Sequence, residues 1–285
     1  SIVLAVIFRM AHGCALACSN TSTSTIATDI IPKSRFSEGM GMFGMATALA
    51  TACAPTIGEM LMGYGFSILF LTAMLKTPKI DVPKKSLSIK GLIDKDALPA
   101  SITVLIFLLT YGALENYILK FVSVADTITL SGGLYFTIMA VMLLLTRITV
   151  GKVADKKGEA IFVYTCNITM FIAFLLLAFI PNNISFIISA ALSGYAFGGL
   201  EPALQAMAVS IAPPSSRGAA NSTFLCAYDI GIGLGGGIAG VFIDMAGYHY
   251  MFIILSIANI LSVIVYLLIG RNHPSSMTLR IKNNA

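Results

Sequence analysis

Arg9, Glu115, Glu201 and Asp229 are ionisable residues that lie well inside apolar stretches of this 285-residue chain. Charge in such a setting is costly unless it meets a partner or a wet cavity, so each is a candidate for chemistry. Glu115 has Asn116 beside it and Tyr111 one turn back. Glu201 precedes Pro202, with Gln205 one turn on and Tyr195 and Phe197 upstream, and Asp229 follows Tyr228. Carboxylates among aromatic rings suit a cationic amphiphile, through charge pairing and cation–π contact. Burial disfavours the charged form of a carboxyl group, so the same residues are also able to take up and release a proton. The plainer alternative is that one or two of them only hydrogen-bond neighbouring helices.

Other patterns carry less. Gly231-Ile-Gly233-Leu-Gly-Gly236 matches G-x-G-x-x-G, but a dinucleotide site needs that string between a strand and a helix N-terminus. Here it lies within an apolar run, which makes it a helix-packing face. The five cysteines (Cys14, Cys18, Cys53, Cys166, Cys226) show no metal-ligand or redox spacing and read as small packing residues. No metal, cofactor, catalytic constellation or nucleic-acid site is expected.

The elements that position the candidates are membrane helices. Hydrophobic residues make up 57% of the chain, charged residues 11%, and the mean hydropathy is +0.88; a soluble domain carries about 25% charge. Apolar spans run over 1–19, 39–58, 98–119, 129–150, 160–180, 184–212, 219–243 and 250–270, each long enough for ~30 Å of hydrocarbon. A ninth, 59–75, is stunted: only ten residues separate Gly65 from Lys76. With alternating crossings, 16 of the 18 Lys and Arg fall on one side, in 28–38, 76–97, 147–158, 213–218 and 271–285. That bias marks the cytoplasmic side.

The chain also repeats at an offset of 182 residues. Pro32-Lys-Ser-Arg35 returns as Pro214-Ser-Ser-Arg217, and Gly58, Gly65 and Phe70 return as Gly240, Gly247 and Phe252. Two related helical bundles follow: a remnant of the first over 1–75, a polar linker over 76–97, and a six-helix second bundle with its tail over 98–285. The repeat implies about three helices in front of Ser1 and a shortened sixth.

These residues resemble the major facilitator superfamily, nearest to its twelve-helix drug/proton antiporters, from the fourth helix onward. Arg147 and Gly151-Lys-Val-Ala-Asp155-Lys156-Lys-Gly158 resemble the family's cytoplasmic loop motif. Arg9-Met-Ala-His12-Gly13 resembles its fourth-helix motif, with His for Gln. Ala46, Ala50, Ala54, Pro55 and Gly58 resemble its fifth-helix antiporter motif, with Ala where Gly is usual. The resemblance implies an all-α fold of two pseudo-symmetric bundles in the cell (inner) membrane, monomeric at full length. It implies that Arg9 takes part in proton movement by acting on a nearby carboxylate; Glu115, Glu201 and Asp229 are expected to couple protons because they come from three helices near mid-depth. Their sequence neighbours Tyr111, Asn116, Tyr195, Phe197, Gln205 and Tyr228 are expected to line the substrate cavity. The loop motif would form a gate in which Asp155 pairs with the basic residues around it, Arg147 among them. The expected function is proton-coupled export of small amphipathic compounds. An uptake or metabolite carrier of the same fold, or a truncated chain that transports nothing, are the other readings.

Overall fold

The computed structural model describes residues 93–213 and 216–284, together with 19–28, 30–31 and the single positions 13, 15, 39, 42 and 43. Arg9, His12, the Ala46/Ala50/Ala54/Pro55/Gly58 stripe, the stunted span 59–75 and linker residues 76–92 lie outside them. The described residues are helical, with no strand among them. In chain order they form α1 (Leu98–Val124), α2 (Gly132–Lys157), α3 (Ala160–Phe179), α4 (Asn183–Ser210), α5 (Arg217–Val265), a π-helical turn (Tyr266–Gly270) and α6 (Met277–Asn284). Pro99 starts α1, where its missing N–H has no role in the ladder. The Asn182 side chain caps α4 by accepting from Ser185 N at 2.9 Å.

Five described helices are long and apolar enough to cross a membrane. The longest of them crosses twice, because α5 turns back at Gly247, whose φ of 81° only glycine adopts without strain. Before the turn α5 runs parallel to α1: Gly231 sits on Leu105, Gly235 on Leu109 and Gly240 on Tyr117. After it the direction is reversed, with Phe252 against Phe121 and Ser262 bonding Thr103 O at 2.9 Å. The connection expected over 244–249 therefore contracts to one residue. Large apolar side chains such as Ile184, Met245 and Leu268 stand exposed around the bundle, the surface a protein shows to lipid.

Glycine decides which helices touch. A Cβ on Gly112 would run into the Ile232 carbonyl, and one on Gly231 or Gly235 into the backbone of α1. The G-x-G-x-x-G string is thus a contact face between α1 and α5. Gly194 and Gly198 do the same for α4 against Met139 and Leu143 of α2.

Lys152, Lys156, Lys157, Arg217, Arg271, Arg280 and Lys282 gather at one end, here the basic end; among described residues the far end holds Lys120 alone. At the basic end Glu159, with no exposed surface, holds the tail: it accepts from Tyr266 OH (2.7 Å), Ser276 Oγ (2.5 Å) and Thr278 N (2.9 Å). The last of these caps the first turn of α6, where a carboxylate also meets the favourable end of the helix dipole. Gly158, at φ 80°, leaves room for Thr278 to lie against it. Glu159→Ala strands three donors, so proteolytic cleavage after Gly270 in detergent is expected to accelerate at least tenfold. Wild-type cleavage rates would show that the tail is held some other way.

Candidate functional site

Among the described residues, the mid-depth of the bundle holds one charged pair. Arg147 of α2 donates through Nη2 to Glu201 Oε2 of α4; Arg147 is 4% exposed and Glu201 18%. The two helices run parallel and match at a constant spacing of 54 residues: Thr129 with Asn183, Tyr135 with Ser189, Arg147 with Glu201. Gly194 and Gly198 permit the approach that lets the guanidinium reach the carboxylate. Pro202, next to Glu201, removes one backbone donor from the α4 ladder beside the site. Arg147 Nε is buried with no hydrogen-bond partner among the described residues.

Three aromatic rings from three helices close around this pair. Tyr111 of α1 stacks on Phe197 of α4 at 4.0 Å and 7°, and Phe197 meets Tyr228 of α5 at 6.3 Å. Phe197 and Glu201 are one turn apart on the same face of α4, as Tyr111 and Glu115 are on α1. Tyr111 lies in the fields of Glu115, Glu201 and Arg147, and Tyr228 in those of Glu201, Arg147 and Asp229. Glu115 and Asp229 are themselves exposed. Tyr111, Phe197, Tyr228, Glu201 and Arg147 thus converge, with Glu115 and Asp229 near their edge.

Several expected site residues are placed elsewhere. Tyr195 faces α3, where its hydroxyl meets Thr165 Oγ1 at 3.0 Å; two residues from Phe197 on a helix is roughly 200° of rotation, the opposite face. Gln205 donates to Ser24 and Asn221 (3.0 Å each), one turn beyond Glu201 toward the basic end. Asn116 returns its amide to Gly112 O at 2.7 Å, beside Gly236. The gating motif is no loop. Residues 147–157, with Gly151 buried among them, continue α2, and only Gly158 and Glu159 turn. Helix persists because nothing before Gly158 breaks it. Asp155 is half-buried and Lys156 exposed in the last turn. Arg147 stands eight residues away, roughly 12 Å along the axis, and its carboxylate partner is Glu201.

Comparison with known proteins agrees with this architecture. The Major Facilitator Superfamily profile matches residues 100–283. The chain belongs to the major facilitator superfamily. It is an integral, multi-pass membrane protein of that fold. Among solved structures, the human organic anion transporter MFSD10 (TETRAN) has a TM-score of 0.72 at 17% identity, covering 86% of this chain and 67% of that one. The transporter FucP in its outward conformation has a TM-score of 0.62 at 15% identity, covering 87% and 72%. Among curated sequences, an MFS-type transporter of Burkholderia mallei described as uncharacterized is 38% identical over 72 residues. That stretch is 25% of this chain and spans 18% of the relative's length.

The residues that sequence reasoning missed are Arg147 as a mid-depth partner and Glu159 as the tail's anchor. The signal for the first was available: Arg147 precedes the Lys156-Lys157 pair by about ten residues with no helix breaker between them.

Proposed function

We propose that this protein is a proton-coupled exporter of small amphipathic cations that works by alternating access in the cell (inner) membrane, with the basic end cytoplasmic. The observation that supports the reading is the convergence of Tyr111, Phe197 and Tyr228 on the Arg147–Glu201 pair, with Glu115 and Asp229 exposed beside it. Arg147 cancels one of the three carboxylates, which leaves two negative charges next to aromatic faces, a setting for a lipophilic cation. Glu201 is occupied by Arg147, so Glu115 and Asp229 are the groups whose protonation competes with substrate. Binding of the cation at one face and of protons at the other then drives the two bundles through their cycle. The part assigned to Arg9, on the other bundle, belongs to the same proposal.

A second reading, proton-coupled uptake, has its own support, since the E. coli fucose:proton symporter FucP shares the fold with a TM-score of 0.62. Inverted vesicles separate the two. With an acidic lumen, the exporter accumulates a lipophilic dye cation, and Asp229→Asn or Glu115→Gln lowers that accumulation at least tenfold while leaving insertion intact. Accumulation at the wild-type level in both variants overturns the carboxylate mechanism.

A further inference from the structure

The helical stretch 19–28, from the first bundle, meets α4 and α5 near the basic end through a ring of three uncharged side chains with Arg217 at its edge. Ser24, Gln205 and Asn221 are all buried. Gln205 Nε2 donates to Ser24 Oγ and to Asn221 Oδ1, at 3.0 Å each, and Ser24 Oγ donates to Asn221 Oδ1 at 3.2 Å. The three therefore close a ring in which both amide hydrogens of Gln205 and the Ser24 hydroxyl hydrogen are used. Around it, Asn221 Nδ2 reaches Thr21 O at 3.5 Å and Arg217 Nη1 reaches Thr28 O at 3.4 Å. Every one of these bonds except the Gln205–Asn221 contact crosses from the first bundle to the second.

We propose that this ring is an uncharged latch that closes the path from the Tyr111–Phe197–Tyr228 site to the basic end and opens during the cycle. Gln205 is one turn beyond Glu201 and two beyond Phe197 on the same face of α4, so the ring lies directly between the site and that end. Parting the bundles strands polar groups that are now satisfied, and water must enter to replace them. A ring of amides and a hydroxyl needs no ion to be desolvated when it re-forms. It is thus a better-suited contact for repeated opening than the charged gate expected around Asp155. The latch goes beyond the proposed proton coupling and holds for export or uptake alike.

The test reads water access to the site. In the protein at its natural length, with the native cysteines replaced by alanine, Tyr228→Cys serves as reporter for a membrane-impermeant maleimide. Vesicles of both orientations are compared, identified by a tag on the C-terminal tail. Gln205→Leu is expected to raise labelling from the basic side at least fivefold, and Arg217→Gln by a smaller factor, with labelling from the far side unchanged or lower. Labelling from the basic side equal to that of Tyr228→Cys alone in both variants overturns the latch, as does an equal rise from both sides. Should Gln205→Leu fail to insert, Ser24→Ala, which removes one member of the ring and leaves Gln205 in place, decides alone.

Discussion

Arg147→Met is expected to lose about 3–5 kcal/mol of stability, because it leaves Glu201 as an uncompensated charge inside the bundle. The measurement is the melting temperature in detergent, followed by loss of the monodisperse size-exclusion peak. The double variant Arg147→Met with Glu201→Gln is expected to recover most of that loss, within about 1–2 kcal/mol of wild type, since a neutral pair of similar size replaces the ions. The recovery is the informative part. An Arg147 that merely anchored the helix at the membrane surface would show a small effect in the single variant and none of this compensation. Its 4% exposure and its bond to Glu201 predict both. A single variant that melts with wild type refutes the pair's role.

Gly194→Val is the second large effect. A Cβ there would meet the Met139 carbonyl and lie 2.9 Å from Met142 Cβ, so α2 and α4 must separate. Overpacking of this kind costs about 1–3 kcal/mol in itself. It also lengthens the bonds from Tyr135 to Ser189 and Ser193, now 3.0 Å each, and the Arg147–Glu201 contact. Gly233→Ala and Gly237→Ala are the controls, because nothing lies within 4 Å of a Cβ at either position. Each is expected to stabilise its helix by up to about 1 kcal/mol or change nothing. Equal melting temperatures for Gly194→Val and the two alanine variants would mean that close approach of α2 and α4 is not what holds the site.

The spans of the second bundle could be read from hydropathy alone because each crossing must satisfy its backbone internally and show apolar side chains to lipid. The glycine run of α5 was legible for a related reason: in an apolar run, residues without side chains serve close packing. Helix rotation set the limit. Tyr195 and Phe197 are equivalent by distance along the chain, yet they face α3 and α1 respectively. Gln205 follows the site's own row but sits ~6 Å nearer the basic end than Glu201, where its neighbours are Ser24 and Asn221. Arg147 was misplaced because a basic residue near a basic cluster reads as surface, although ten more residues of helix put it roughly 15 Å inside. The tail's anchor was invisible since Glu159 stands more than a hundred residues from each of its partners Tyr266, Ser276 and Thr278.

The constant spacing of 54 residues between α2 and α4 also sets an order of events during synthesis. At about 5–20 residues per second, Arg147 leaves the ribosome roughly 3–11 s before Glu201, and Tyr135 precedes Ser189 by the same interval. Throughout that time α2 carries a cation at mid-depth with its carboxylate not yet made. The polar seam between α2 and α4 closes only after α3 has been threaded between them in the chain, so this bundle is assembled with a built-in wait, and its least lipid-compatible residue is the one kept waiting.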